Sequence, residues 1–258
     1  SQRQMCIRDR PKHIAPFSGI FGCGCVCFFS NPGSTTAYCI PSGVYCIRVR
    51  LWGAAGGSCV CCYNNYPNSC DIRYGGSGGG FAMKTMSVTP GCCCPITVGC
   101  AGICCCNGGT SSFGIAVCAT GGSVGFSGPP GTGSGGDINN TGGCIQYTQC
   151  CCCSGSWSYY TGGGNAANYF GNGSNTRRPS LISYDEIYCK GLYYNLDAIG
   201  TGGICFGGSP FNGAGADGSN QAGSFPGGGP GGFCFICCAS APQRYDMNLG
   251  HGLVIVEW

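Results

Sequence analysis

The sequence predicts an all-β fold, a β-sandwich carrying glycine-rich excursions, on three observations. Short alternating apolar and polar stretches recur along the chain, glycine runs separate them, and glycine supplies 52 of the 258 residues. Only Arg177 to Leu196, which contains Asp185-Glu186-Ile187-Tyr188, has a composition that suits a short helix. Residues 11–258 read as a single glycine- and cysteine-rich domain.

The first ten residues, SQRQMCIRDR, resemble translated sequencing-adapter DNA and are set aside. Without Cys6 the number of cysteines is odd, which requires a free or intermolecular thiol. Lys12 to Ser30 reads either as a charged end with an apolar signal-like core or as a first strand. Pro16, Gly19, Gly22 and Gly24 interrupt the apolar run and favour the strand, with Cys23, Cys25 and Cys27 on one face and Val26 and Phe28 on the other.

Asn31-Pro32-Gly33 is a turn, and Thr35 to Ile40 is a strand leading to the central one. From Val44 to Trp52, Tyr45, Ile47, Val49 and Leu51 share a face while Cys46, Arg48 and Arg50 share the other, the period of a half-buried strand. Gly53-Ala54-Ala55-Gly56-Gly57 then ends the sheet, because these residues offer no side chains to pack. Ser58 to Gly79 is an excursion bearing Cys59, Cys61, Cys62, Cys70, Tyr63, Tyr66 and Tyr74. Strands resume at Phe81 to Val88, Pro95 to Val98 and Phe113 to Ala119.

Glycine dominates from Thr120 to about Asn175, with Tyr147, Trp157, Tyr159, Tyr160, Tyr169 and Phe170 set into it, and returns from Gly200 to Gly232. Leu253 to Trp258 is apolar on both faces until Glu257, so it belongs in a sheet interior beside Val44 to Trp52.

Composition excludes several classes. Charged residues make up 8% of the chain and the net charge is +3, which gives no basic stripe for nucleic acid and no highly charged disordered chain. No stretch is long and apolar enough to span a membrane as a helix. Each fixed glycine costs about 0.5–1 kcal/mol relative to alanine, so ordered glycine runs need a compensating interaction. Polyglycine helices, whose exposed backbone groups bond neighbouring chains, supply one; flexible linkers are the alternative.

The 28 cysteines, many in runs such as Cys92-Cys93-Cys94, Cys104-Cys105-Cys106 and Cys150 to Cys153, leave three readings open. They form disulfides between segments, stand as small apolar thiols, or bind metal. The paired CxxC spacing of a structural zinc site is missing, and no metal ligand set is assigned. No cofactor is implied either. Gly128-Pro129-Pro130-Gly131-Thr132-Gly133-Ser134-Gly135 imitates a phosphate-binding loop, but Ser134 stands where the lysine is needed and Gly135 where the hydroxyl is needed. His13 and His251 are the only histidines and no acidic residue is spaced to serve them, so no catalytic residues are assigned and the chain reads as a non-enzyme. Asn139-Asn140-Thr141 and Asn172-Gly173-Ser174 match the N-glycosylation pattern.

The proline-glycine turn, the strand ending in Trp52-Gly53-Ala54 and the glycine run resemble the glycine-rich domain of bacteriophage tail-fibre and adhesin proteins. Gly79-Gly80-Phe81-Ala82-Met83-Lys84-Thr85, Val88-Thr89-Pro90-Gly91, Ile96-Thr97-Val98-Gly99, Gly108 to Gly114 and Gly252 to Trp258 fit that pattern in order, from about Phe28 to the end. The Trp-Gly-Ala-Ala-Gly-Gly element is also similar to one in the glycine-rich extracellular domain of anaplastic lymphoma kinase. Cysteine replaces glycine, alanine or serine at many positions of the pattern.

The resemblance implies a jelly-roll or tumour-necrosis-factor-like sandwich, an extracellular or virion-surface location, and a role in binding a cell-surface saccharide or protein as a homo-oligomer or fibre. Tyr63, Tyr66, Tyr74, Trp157, Tyr159, Tyr160, Tyr169 and Phe170 are the candidate binding residues, since aromatics on polar loops suit saccharide and protein contact. Packing against glycine inside the excursions is the other reading of the same rings. A cysteine-rich structural subunit of an extracellular filament, coat or matrix is the alternative function.

Overall fold

The structure is a computed structural model that describes residues 25–57, 59–65, 68–103, 105–124, 128–145, 158–161, 163–173, 175, 225–229, 232–236 and 250–258. The adapter-like start, Tyr66, Trp157 and the helix expected at 177–196 lie outside these residues.

β3 (Cys46–Trp52) lies at the centre of a five-stranded sheet. It pairs on one side with β14 (Leu253–Glu257) and on the other with β6 (Phe81–Ser87). β1 (Val26–Phe29) and β11 (Ile138–Asn140) form the edges. The placement of the last strand beside β3 agrees with its apolar pattern. Every pairing in this sheet is antiparallel.

A second five-stranded antiparallel sheet runs in the order β10 (Gly133–Ser134), β9 (Val117–Ala119), β8 (Ser111–Phe113), β7 (Cys93–Thr97) and β2 (Thr35–Cys39). Its buried residues Tyr38, Ile96, Phe113, Val117 and Ala119 form one apolar cluster with Ile47, Val49, Leu51, Val254 and Val256 of the first sheet. The two sheets thus make a sandwich around a common core, in which each fully buried Val, Leu, Ile or Phe side chain is worth about 1.5–3 kcal/mol. Tyr38 closes one end of that core with ring contacts to Phe29, Phe113 and Trp258 at centroid distances of 5.8, 6.3 and 6.0 Å.

The outer face of the first sheet buries Trp52, Phe81, Leu253 and Ile255 against Ala166 and Ala167, so β14 is covered on both sides. Arg48 and Arg50 share this face, and both pair with Glu257: the Arg50 guanidinium donates to its carboxylate, and Arg48 Nη1 lies 3.8 Å from Oε2. Partly exposed pairs of this kind contribute about 0–1 kcal/mol, so burial holds the sheet and the ion pairs reinforce its register.

Two expectations need correction. Tyr45 is 69% exposed, because strand pairing begins only at Cys46 and the residue sits in the approach to the sheet. The segment 113–119 is two strands, since Gly114 takes a φ of 56° and reverses the chain through Ile115 and Ala116.

At the end of the sandwich where β3 stops, the described glycine runs are ordered columns, not linkers. Gly53 donates to the carbonyl of Gly80 at 2.9 Å, and Gly56 to Ser77 at 3.0 Å. Ala54 donates to Gly109 at 3.1 Å and Gly57 to Cys106 at 2.9 Å, while Ala55 turns to Gly250 at 2.8 Å. Residues three apart thus address the same neighbour, and successive residues address different ones. The column 76–80 behaves alike: Ser77 and Gly80 donate to Ser123 and Thr120, Gly78 to Gly143, and Gly79 to Gly227. This lattice satisfies the buried backbone groups that a sheet would otherwise pair.

Columns this close leave no room for a Cβ. One built on Gly79 falls inside the carbonyl of Gly53, whereas Gly171 has open space and an ordinary backbone conformation. Gly79→Ala is expected to cost about 3 kcal/mol or more, while Gly171→Ala stays within about 0.5 kcal/mol. Thermal or denaturant unfolding of the two variants checks the contrast, and equal effects would refute it.

Candidate functional site

Four of the glycine columns connect the chain to a third sheet. The column 53–57 follows β3 and leads towards β4 (Cys59–Asn65), and β5 (Asn68–Tyr74) returns through 75–80 to β6. β12 (Ser158–Thr161) precedes the column at 163–167, and 225–229 precedes β13 (Gly232–Ile236). These four strands form an antiparallel sheet in the order β12, β13, β5, β4.

The sheet joins segments that are far apart in sequence. Tyr63 lies opposite Cys70, Tyr74 opposite Cys59, and Tyr159 opposite Cys234, which in turn lies opposite Ile72. The register therefore places Tyr63, Tyr74 and Tyr159 in one continuous ladder of paired positions with Cys59, Cys61, Cys70 and Cys234. Tyr160 lies opposite Phe233. The described strands of the excursions expected at 58–79 and 157–170, β4, β5 and β12, thus meet in one element.

Tyr169 and Phe170 do not join them. They form the tip of a tight turn at 168–171, where Asn168 N–H donates to Gly171 O at 3.1 Å and Gly171 N–H to Asn168 O at 3.3 Å. Their rings meet edge to face at 5.3 Å and are 50% and 85% exposed. Counted along the chain from Thr161 at an extended rise of about 3.1 Å per residue, the turn is separated from β12 by up to roughly 25 Å. It lies instead beside β11, whose Asn140 Nδ2 donates to Asn168 O at 2.7 Å.

Asparagines hold this turn, a role that the sequence did not show: Asn140 and Asn172 stood out only within glycosylation patterns, and Asn168 not at all. Asn168 Oδ1 accepts from Phe170 N–H at 2.8 Å, and Asn172 Oδ1 accepts from Thr141 N–H at 2.8 Å. Asn168 directly precedes the aromatic pair, and Asn172 follows it between Gly171 and Gly173. Their frequency there is the signal that was available.

The phosphate-loop imitation is structural: Gly131 N–H donates to Gly78 O at 2.9 Å, and Gly133-Ser134 is β10. His251 sits among the columns, where Nδ1 accepts from Ala101 N–H at 3.0 Å and its carbonyl accepts from Gly227 N–H at 2.9 Å. Cys39 and Cys93, register partners on β2 and β7, are joined by a disulfide. Cys93 therefore bonds to another segment and not to its neighbours in the run, while Cys92, Cys94, Cys46 and Cys118 carry no bridge. Among the described residues no helix is long and apolar enough to cross a membrane.

A family model described as a glycine-rich domain matches residues 30–258, and the chain belongs to that family. No curated protein matches the chain.

Burial lowers the pKa of His251 from its ordinary 6.5. The neutral ring, which accepts the Ala101 bond, is the form that suits the fold. Above pH 6.5 the folded and unfolded chains both hold this histidine neutral, so its contribution to stability is fully present. As pH falls below 6.5 the unfolded chain binds the proton first, and stability is lost until the lowered folded pKa is passed. Melting curves taken between about pH 8 and pH 5 are expected to show this loss in the native chain and a flatter dependence in His251→Gln. An unchanged slope in the variant would assign the loss to other groups.

Proposed function

We propose that this glycine-rich domain is an extracellular recognition module of the tail-fibre and adhesin type, which binds a cell-surface saccharide or protein through its excursions. The observation that carries the reading is the third sheet. Four strands rise from the glycine columns at the end remote from the sandwich and bring Tyr63, Tyr74, Tyr159 and Tyr160 into one element. Contact chemistry placed there can change without disturbing the sandwich core, the usual relation of a binding surface to its scaffold.

The proposed topology is a jelly roll of tumour-necrosis-factor-like kind with polyglycine II columns at one end. Its support is the three-residue repeat of the column hydrogen bonds, the period of that helix type. We assign the protein no enzymatic activity. The proposed location is extracellular or at a virion surface, a setting that suits the Cys39–Cys93 disulfide. Its working form would be a homo-oligomer or fibre that presents several copies of the surface.

A second reading makes the protein a cysteine-rich structural subunit of a filament, coat or matrix. Exposed and unbridged Cys92 and Cys100 favour it, since surface thiols are available for links between chains.

Two measurements separate these readings. Replacing Trp157, Tyr159 and Tyr160 together with Ala is expected to weaken attachment to target cells at least about tenfold with little change in melting temperature. Retained attachment with collapsed stability would make the rings internal packing. Intact mass after alkylation, with and without prior reduction, is expected to show protected cysteines in the unreduced protein. Reductant-sensitive multimers without cell attachment would favour the structural subunit.

A further inference from the structure

We propose that the turn at Tyr169 and Phe170 is a second binding subsite, built for a neutral saccharide and separate from the third sheet. The inference rests on the recognition reading and names the ligand class for one part of it.

Two flat apolar faces stand in solvent at this turn, with Phe170 85% exposed. A short lattice of side-chain amides holds the backbone of the turn that presents them, so less of the site has to be ordered when a ligand arrives. Asn140 Nδ2 donates to Asn168 O, Asn168 Oδ1 accepts from Phe170 N–H, and Asn172 Oδ1 accepts from Thr141 N–H.

Backbone N–H groups only donate, so the atoms they meet on Asn168 and Asn172 must be the amide oxygens. The orientation of those two amides is thereby fixed. Their Nδ2 groups, and Oδ1 of Asn140, keep hydrogen-bonding capacity at the turn that carries the rings. Asn139 contrasts with them: its Oδ1 accepts from Gly136 N–H at 2.9 Å and its Nδ2 donates to Gly136 O at 2.7 Å, so both ends are committed.

Rings and oriented amides together favour one chemistry. A pyranose offers an apolar CH face to lay against a ring and hydroxyls that both donate and accept, which matches amide nitrogen donors and an amide oxygen acceptor. No residue from 168 to 172, nor Asn140 or Thr141, carries a charge, so a charged ligand finds no counterion among them. An apolar protein segment would cover the rings while burying the amide groups without partners, which is costly.

The test is titration of the purified chain with a panel of soluble neutral oligosaccharides, repeated with Phe170→Ala, Phe170→Leu and Phe170→Trp. Melting temperature serves as the folding control for each variant. The native chain is expected to bind at least one neutral oligosaccharide. Affinity should fall about tenfold in both Phe170→Ala and Phe170→Leu, because leucine keeps apolar bulk but loses the flat face, and Phe170→Trp should retain it.

Absence of saccharide binding in the native chain would overturn the proposal, as would unchanged affinity in Phe170→Ala. Full activity in Phe170→Leu with loss only in Phe170→Ala would also overturn it, by pointing to an apolar protein contact. Cell attachment measured in parallel keeps the two ideas apart. Attachment without saccharide binding sinks this subsite alone, whereas absence of attachment sinks the recognition reading and leaves the titration to decide the subsite.

Discussion

The backbone hydrogen bonds between glycine columns are the constraint on which the rest of the structure depends. A sheet satisfies its backbone groups along two edges, but a column whose successive N–H groups turn to different neighbours bonds in several directions at once. The columns 53–57 and 76–80 achieve this with donors directed to 80, 109, 250, 77 and 106 in one case and to 123, 143, 227 and 120 in the other. Such bonds form only if the backbones approach closely, and the approach leaves no space for side chains. The entropic cost of glycine is therefore accepted where the lattice needs it, and many backbone bonds made together offset that cost.

The same constraint explains the strands that enter the bundle. β3 and β14 pair from Trp52 with Leu253 to Arg48 with Glu257, and both are continuous with columns at the Trp52 and Leu253 end. Ile47, Val49 and Leu51 face the sandwich core with Val254 and Val256, while Trp52, Leu253 and Ile255 pack on the other side against Ala166 and Ala167 of a third column. Core and bundle thus share residues. The ring contact of Trp52 with Phe81, at 4.8 Å, lies where β3 and β6 give way to glycine.

Period and punctuation made much of this legible in the sequence. Val49 and Leu51 alternate with Arg48 and Arg50, and Gly53 to Gly57 stop the alternation, so both the strand and its end could be read. The last strand carried no alternation, and that absence itself marked an interior position. Tyr45 misled because alternation continues for one residue beyond the pairing, and the reversal at Gly114 was hidden inside an apolar run too short to show two periods. The third sheet was beyond reach for a different reason. Its strands come from 59–65, 68–74, 158–161 and 232–236, and only the columns bring them together. The supporting amides of Asn140 and Asn172 were equally hidden, since each acts on a backbone group about thirty residues away in sequence, whereas Asn168 caps Phe170 two residues on, a local turn signal.

Cysteine use follows from the same geometry. The inner columns read GAAGG at 53–57 and GSGGG at 76–80, and all their residues are buried. Cys100, Cys106 and Cys144 occur instead on columns around them, where each residue is exposed or half-buried. A thiol is small enough to follow glycine or alanine on the outside of the lattice but too large for its centre. Among the described column residues, glycine thus stands where backbones touch one another, and Cys100, Cys106 and Cys144 stand where a column turns a side outward, while Cys27 is buried in the sandwich core. The Cys39–Cys93 bridge lies outside both layers, across two strands of the sandwich, so cross-linking in this protein is not confined to its glycine-rich part.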